Sequence, residues 1–315
     1  MFKQLHSTIA AAVLGTVLAG AASAADPASC NTVRMADPGW TDITSTNAIA
    51  GVLLEGLGHE QAVQLIGVPI AFRSLQNGDI DVFLGNWMPA QTAMVEPLLA
   101  DRSAVLLTDN LSGLRFTLAV PSYVAEAGVK SVTDLAGHGD RFDRKLYTIE
   151  PGSAVNENIN RMLDDGAFGL AGWEMVESSE QGMLGQVDRA VRNQEWLLFI
   201  AWEPHPMNTK FDLTYLPGGD EYFGPNLGSA TVRTLSRAAF PADCPNLAKL
   251  FAQLHFTKDM ENEMMGAILD NGTEPEDAAR NYLKAHPEVL DTWLAGVTTA
   301  SGEDGLAAVK QELGL

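Results

Sequence analysis

The sequence of 315 residues predicts an α/β fold with two lobes and mostly parallel sheets. Short apolar runs alternate with helical patterns over most of the chain, and this alternation is typical of β-α-β units on a parallel sheet. Four helical patterns follow one another near the C-terminus. No Gly/Ser-rich linker divides the chain into two continuous halves. We therefore expect the connection between the lobes to consist of strands that cross more than once.

The individual elements follow from the period of the apolar residues. Strands are predicted at residues 33–36, 63–68, 80–84, 104–108, 116–120, 146–149, 175–176 and 196–201. Helices are predicted at residues 47–57, from 69 onward, and at 153–163, 183–191, 246–256, 258–269, 275–285 and 287–295. On this basis lobe I comprises residues 25–110 and 212–315, and lobe II comprises residues 111–211.

The first 24 residues have the order of a secretory signal peptide. Lys3 and His6 precede the apolar run 9–18, and the small residues 22–24 follow it. The run is shorter than the roughly 20 residues that a membrane span requires. We expect cleavage after Ala24 and a soluble mature protein in the periplasm.

The formal charge of −20 limits the kind of partner. Such acidity argues against nucleic acid and anionic membrane surfaces as partners. It suits a cationic ligand, although a contribution to solubility explains the charge equally well.

The chain has two cysteines, Cys30 and Cys244. An even count in an exported protein predicts a disulfide between them, the alternative being two buried free thiols. No Cys and His cluster at metal-ligand spacing occurs in the sequence, so neither a metal site nor another cofactor is predicted.

Three tryptophans stand at the carboxyl ends of predicted strands. Trp40 follows strand 33–36, Trp87 follows strand 80–84, and Trp202 ends strand 196–201, each next to Gly or Pro residues. Ligands bind at this edge of open α/β sheets. Trp173, Trp196 and Trp293 lie inside apolar patterns and are assigned to packing.

Converging indole rings suit a ligand that is both cationic and apolar. A quaternary ammonium group donates no N–H hydrogen bond and is bound instead by ring faces, at roughly 0.5–2 kcal/mol per face. Asp42 follows Trp40 by two residues and could accept a hydrogen bond from a ligand hydroxyl. The alternative for Asp42 is a helix cap or turn residue; beside Trp40 we favour the site.

Several motifs carry a family resemblance: the signal peptide, Asp37-Pro38-Gly39-Trp40-Thr41-Asp42, Asn77-Gly78-Asp79-Ile80-Asp81, Trp87-Met88-Pro89 and Trp202-Glu203-Pro204-His205-Pro206. Together they resemble the glycine-betaine and choline-binding proteins of ABC importers. The resemblance implies a type II periplasmic binding protein, monomeric, whose lobes close on a ligand that is then delivered to a membrane permease. It also implies that Trp40 and Trp87 come from one lobe and Trp202 from the other, and that Asp42 meets the choline hydroxyl.

Two positions depart from the family pattern. Phe116 stands where the family has a Tyr, which keeps the ring and removes the hydroxyl. Ser153 stands where an Asn is expected, with Asn156 one turn later, and either residue could instead cap the helix. His205 is a further candidate for ligand contact, a turn-stabilising role being as plausible.

Enzyme signatures are missing from the sequence, so we expect a binding protein. No GxSxG nucleophile elbow occurs, and His59-Glu60 lacks the second His of a zinc protease. A secreted hydrolase of choline esters, the alternative from another class, would need a nucleophile and a base that no motif supplies. A further alternative is a solute sensor that presents its closed form to a receptor. The sequence does not distinguish such a sensor from a transport protein.

Choline is the leading ligand among several. The alternatives are glycine betaine, carnitine, acetylcholine, trimethylamine N-oxide and a sulfonium analogue. A ligand carboxylate 4 Å from Asp42 would be repelled by about 4 kcal/mol at an effective dielectric constant of 20. A carboxylate ligand also needs a donor, and Arg115 and His205 are the candidates.

Overall fold

The computed structural model describes residues 25–315, and the predicted signal peptide at residues 1–24 lies outside them. The strands are β1 (Thr32–Asp37), β2 (Glu60–Leu65), β3 (Val82–Met88), β4 (Ala104–Pro121), β5 (Lys145–Thr148), β6 (Glu174–Glu177), β7 (Leu198–Glu203), β8 (Leu213–Tyr215) and β9 (Ser229–Arg237). The α-helices are α1 (Thr41–Gly56), α2 (Val68–Asn77), α3 (Thr92–Ala100), α4 (Ser122–Glu126), α5 (Ala154–Asp164), α6 (Glu180–Asn193), α7 (Met207–Lys210), α8 (Asp220–Phe223), α9 (Pro225–Gly228), α10 (Phe240–Asp243), α11 (Pro245–Gln253), α12 (Lys258–Leu269), α13 (Pro275–Ala285), α14 (Glu288–Trp293) and α15 (Gly305–Leu313). Short 3-10 helices lie at Ala28–Cys30, Val132–Gly137, Gly139–Phe142 and Ala167–Gly169.

The nine strands form one mixed sheet in the order β2-β1-β3-β9-β4-β7-β5-β6, and β8 pairs with β4. The strands at each end of this order are parallel: β1 with β2 and β3, and β5 with β6 and β7. The α/β prediction with parallel units is thus confirmed at both ends. In the middle, β9 and β4 are antiparallel to each other and to their outer neighbours.

Strand β4 joins the two halves of the sheet, which are β2-β1-β3-β9 on one side and β7-β5-β6 on the other. Its 18 residues pair with β9 along the first two thirds and with β7 from Arg115 to Ala119. The sequence predicted two separate strands here, at 104–108 and 116–120, and the structure joins them into one. Within the segment between them, Asn110 is buried and donates to the carbonyl of Leu84 and to Thr234 Oγ1, while Asp109 and Ser112 are exposed.

The N-terminal segment is anchored to the C-terminal helices. Cys30 and Cys244 form a disulfide, as predicted. The Asp26 carboxylate accepts hydrogen bonds from the backbone N–H groups of Asn246 and Leu247, at the start of α11. A carboxylate at this helix end satisfies donors that have no partner within the helix.

Within residues 25–315, no helix combines the length and apolar character that crossing a membrane requires. No group of three or more His, Cys, Asp or Glu side chains in the same part of the chain is arranged to hold a metal ion.

Candidate ligand-binding site

Six of the predicted site residues line one pocket: Trp40, Asp42, Trp87, Phe116, Ser153 and Trp202. They come from the β1–α1 turn, β3, β4, β7 and the β5–α5 turn, so both halves of the sheet contribute. The remaining lining residues, which the sequence analysis did not identify, are mostly apolar: Ala90, Gln91, Ile149, Ala154 and Val155.

The β1–α1 turn places Trp40 and Asp42. Gly39 has φ of +90°, a conformation that favours glycine, and its N–H donates to Asp37 Oδ1 at 2.7 Å. The chain then enters α1 with Trp40 as the N-cap residue. Asp42 is consequently the second residue of the helix, and its side chain does not cap it.

Three rings form a continuous wall of the pocket. The centroid of Phe116 lies 5.6 Å from that of Trp87 and 6.0 Å from that of Trp202. Phe116 and Trp202 are register partners on β4 and β7, which fixes their spacing. Behind Phe116, a Cβ on Gly228 would lie 2.0 Å from the Phe116 carbonyl oxygen, so the close approach that supports this ring requires glycine.

Asp42 is 3% exposed, and only one of its two carboxylate oxygens has a hydrogen-bond partner among residues 25–315. Oδ2 accepts a hydrogen bond from Trp87 Nε1 at 3.0 Å. Oδ1 is buried without a hydrogen-bond partner among residues 25–315. Burial, with a smaller contribution from the charge of Glu180, raises the pKa of Asp42 to about 7.

Ser153 supplies a second free polar atom. It occupies the N-cap position of α5, but its hydroxyl accepts no hydrogen bond from the helix. The Oγ atom is buried and, within residues 25–315, has no partner. Capping is therefore not its role here, and the pocket holds one free carboxylate oxygen and one free hydroxyl, which can satisfy a ligand hydroxyl as acceptor and donor.

Two further carboxylates tie the start of α1 to the other half of the sheet. Trp40 Nε1 donates to both Glu150 oxygens at 2.9 Å. The Thr41 N–H donates to Glu180 Oε2 at 3.0 Å and its hydroxyl to Oε1 at 2.5 Å. Nothing local in the sequence marks Glu150 and Glu180 as partners of Trp40 and Thr41, so neither was predicted.

The structure does not place Asn156 in the pocket lining, contrary to expectation. Its amide is used within the fold: Nδ2 donates to the carbonyls of Ile149 and Glu150 and to Glu177, and Oδ1 accepts from Thr148. Asn156 therefore shapes the β5–α5 turn that carries Glu150 and does not contact the pocket itself.

His205 also lies outside the pocket lining. Its Nδ1 accepts the Met207 N–H at 3.0 Å, so Nε2 carries the hydrogen, 3.4 Å from Glu180 Oε1. The imidazole packs edge-on against Trp202, with centroids 5.0 Å apart. It supports the ring from behind, closer to the turn-stabilising alternative than to ligand contact.

The other three tryptophans pack elsewhere, as predicted. Trp173 and Trp196 both pack on Phe142, and Trp293 packs on Phe256.

Residues 31–285 match the family described as the substrate-binding domain of ABC-type glycine betaine transport systems. The chain belongs to this family. Members of the family are binding subunits of transporters and not enzymes; they act outside the cytoplasm, bind a small ligand and work with a membrane permease.

Solved structures of this substrate-binding domain family share the fold. An ABC-transporter choline binding protein in complex with choline is 51% identical, with a TM-score of 0.90, and the match covers 91% of this chain and all of that one. Its unliganded semi-closed form has a TM-score of 0.85 at 52% identity, with the same coverage. The glycine/betaine/L-proline-binding protein ProX from Borrelia burgdorferi is 25% identical, with a TM-score of 0.79 over 88% of this chain and 99% of that one. The two-lobed type II fold expected from the sequence is confirmed.

Proposed function

We propose that this protein captures choline in the periplasm and delivers it to the permease of an ABC importer. The observation that carries the proposal is the pairing of a three-ring wall with two free buried polar atoms, Asp42 Oδ1 and Ser153 Oγ, in one pocket. The signal peptide, cleaved after Ala24, would direct the chain to the periplasm. The 51% identical relative bound to choline supports the same ligand.

The trimethylammonium end of choline fits the aromatic residues of the pocket, which we call the aromatic cage: Trp40, Trp87, Phe116 and Trp202. Methyl groups pack on the ring faces, and the positive charge is attracted to the negative faces of the rings. The carboxylate of Asp42 adds a countercharge in the same buried space.

The hydroxyl end of choline fits the two free polar atoms. Its O–H would donate to Asp42 Oδ1, and its oxygen would accept from the Ser153 hydroxyl. Because Phe116 has no hydroxyl of its own, these two side chains recognise this end of the ligand without help from the β4 ring.

A carboxylate ligand such as glycine betaine fits less well. Of the two donors considered for a carboxylate, Arg115 is bound in a two-point ion pair to Glu203, at 2.9 and 2.7 Å. His205 is engaged with Met207 and Glu180. Neither lines the pocket, so a ligand carboxylate would meet Asp42 without a cationic partner.

The lobe division at 110/111 and 211/212 is part of the proposal. The Asn110–Leu111 step lies in the middle of β4, within its pairing with β9 and four residues before the pairing with β7 begins at Arg115. The return passes between α7, which ends at Lys210, and β8, which begins at Leu213.

A calorimetric ligand panel tests the proposal: choline, acetylcholine, glycine betaine, carnitine, trimethylamine N-oxide and tetramethylammonium. Choline should bind most tightly. Asp42→Asn should weaken choline by at least about tenfold, on the scale of a lost charged hydrogen bond, and change tetramethylammonium much less. Asp79→Asn, an equal charge change at an exposed position, is the control. Tighter binding of glycine betaine than of choline would contradict the assignment.

A further inference from the structure

The two indoles of the aromatic cage with assigned N–H partners both donate to carboxylates. Trp87 Nε1 donates to Asp42, and Trp40 Nε1 lies 2.9 Å from both oxygens of Glu150. Asp42 lines the pocket and can meet the ligand directly, whereas Glu150 does not line it. Glu150 is therefore positioned to act on the ligand through the ring of Trp40.

Glu150 is fixed in this position by its own turn. Asn156 Nδ2 donates to the backbone carbonyls of Ile149 and Glu150, at 3.1 and 3.0 Å, which orders the chain where β5 leads into α5. The Glu150 side chain reaches from this turn to Trp40, at the opposite half of the sheet. The bond thus also sets the orientation of the Trp40 ring relative to the rest of the aromatic cage.

Among residues 25–315, no basic side chain forms an ion pair with Glu150. The pKa of this carboxyl is raised, chiefly by burial and to a smaller extent by the charge of Glu180, while the Trp40 hydrogen bond opposes the shift; no basic side chain among the described residues is a cause of it. Hydrogen bonds to ionised groups are roughly twice as strong as neutral ones, and bonded groups polarise one another. A carboxylate on the indole N–H therefore pushes electron density toward the ring, whose negative face attracts a cation.

We propose that Glu150 is a positioning and specificity residue of this site, which fixes the Trp40 ring and makes its face more attractive to a quaternary ammonium ion. This inference rests on the proposed function and deepens it. It predicts that a side chain that does not line the pocket favours cationic ligands over neutral ligands of the same shape.

The test is a double-mutant cycle measured by calorimetry with choline and, in parallel, tetramethylammonium. Glu150→Gln keeps an oxygen that accepts the indole N–H and removes the charge. Trp40→Phe keeps a ring and removes the N–H. We expect Glu150→Gln to weaken both ligands about fivefold in the wild-type background, as a charged hydrogen bond becomes a neutral one, and less than about twofold beside Trp40→Phe. Glu157→Gln, an exposed acid on α5, is the matched control and should change neither ligand.

A neutral ligand distinguishes the proposed electrostatic role of Glu150 from a merely structural one. The uncharged carbon analogue of choline, 3,3-dimethylbutan-1-ol, should compete equally well in wild type and Glu150→Gln. Thermal unfolding of each variant confirms that it is folded. The inference is overturned if Glu150→Gln matches Glu157→Gln, if its effect persists beside Trp40→Phe, or if the neutral analogue weakens as much as choline. Wild-type protein that binds tetramethylammonium but not choline would contradict the proposed ligand alone, and the cycle with tetramethylammonium would still decide the role of Glu150.

Discussion

The ring of Trp87 is fixed at two points: its Nε1 bonds Asp42 at 3.0 Å, and its centroid lies 5.6 Å from that of Phe116. A ring held in this way loses little conformational freedom when a ligand binds, and preorganisation of this kind favours affinity. The same bond orients Asp42 so that its second oxygen is free for the ligand. One side chain thus contributes both a face for the cation and the placement of the countercharge.

Trp87→Ala should weaken choline binding by at least about tenfold. The substitution removes a ring face and the burial of ligand methyl groups, worth roughly 0.8 kcal/mol each, in addition to the cation–π attraction. Isothermal titration calorimetry measures the loss. Trp196→Ala, which removes an indole outside the pocket, should leave the dissociation constant unchanged. Wild-type affinity in folded Trp87→Ala protein would refute the aromatic cage.

Choline affinity should fall as the pH is lowered from 8 to 5.5. The pKa of Asp42 is raised to about 7, first by burial and then by the charge of Glu180, with Asp37 adding a smaller repulsion and the Trp87 bond opposing it. Nearby Glu261, also buried, has a pKa raised well above its usual value. Below pH 7 the ligand therefore meets a neutral Asp42 and loses its countercharge.

The stability of the ligand-free protein depends on pH in the opposite direction to the choline affinity. Because the folded pKa of Asp42 lies above its unfolded value near 3.9, ionisation costs stability, and this cost grows as the pH rises from about 4 through 7. Calorimetry in buffers of different ionisation enthalpy should show proton release on choline binding at pH 6.5. The choline affinity of the Asp42→Asn variant should depend less on pH than that of the wild type. An equally steep dependence would assign the effect to another group.

At single positions, residues that line the pocket could be found from the sequence where a local pattern marks them. Trp40 and Asp42 follow a Gly-containing turn, and Ser153 follows Pro151-Gly152. Glu150 could not be predicted from the sequence because its partner Trp40 is 110 residues away in the chain. No local signal selects one acid among the 40 in the sequence.

Helix α1 begins at the junction of the two halves, and its first residue is bound by the first residue of α6. Glu180, 1% exposed, accepts both the N–H and the hydroxyl of Thr41, and His205 lies 3.4 Å from it. A carboxylate at a helix N-terminus is favoured by the exposed N–H groups and the helix dipole. The two helices come from different halves of the sheet, so this contact stabilises the conformation in which they approach.

Glu180→Gln should weaken choline binding severalfold, chiefly through faster dissociation. The charged acceptor at the start of α1 becomes neutral, and one of its three donors faces an amide N–H group instead. Stopped-flow measurement of the Trp fluorescence change gives both rate constants. Glu174→Gln, an exposed acid on β6, is the control. An unchanged dissociation rate constant would show that the α1–α6 contact does not stabilise the bound form.

Among the elements, the amphipathic C-terminal helices were predicted to the residue in two cases, α12 and α13. Strand β9 was missed, although it is central, because Ser229–Arg237 has only two large apolar residues, Val232 and Leu235. The rest are small, polar or charged residues that gain burial only from β3 and β4. The sheet's antiparallel centre was missed for the same reason. Trp87 and Trp202 also proved to be the penultimate residues of β3 and β7 and not residues beyond the strand ends.

Taken as a whole, the molecule carries a net charge of −20 and a pocket between its halves whose walls come from both. The negative field attracts a cationic ligand from solution and raises the rate of encounter. The bonds from Trp40 and Thr41 to Glu150 and Glu180 can form only when the halves approach. We therefore expect ligand binding, which draws on walls from both halves, to be coupled to closure.

Saturating choline should reduce the radius of gyration measured by small-angle scattering. Hinged lobes that close around a ligand become more compact, and ligand binding shifts the population toward the closed form. Trp87→Ala protein at the same choline concentration should show little of this change. An identical radius of gyration with and without choline in the wild type would argue against a closing motion.

The bond between Trp87 and Asp42 has a consequence for the order of events during capture. Both residues precede β4 in the chain, so the half of the protein that carries β1 and β3 presents a ring and a countercharge before the other half arrives. We therefore expect the ligand to bind this half first, and Trp202 and Ser153 to cover it afterwards. Release to a permease would follow the reverse order: once the covering half moves away, the ligand remains bound to the exposed surface of the half that carries β1 and β3.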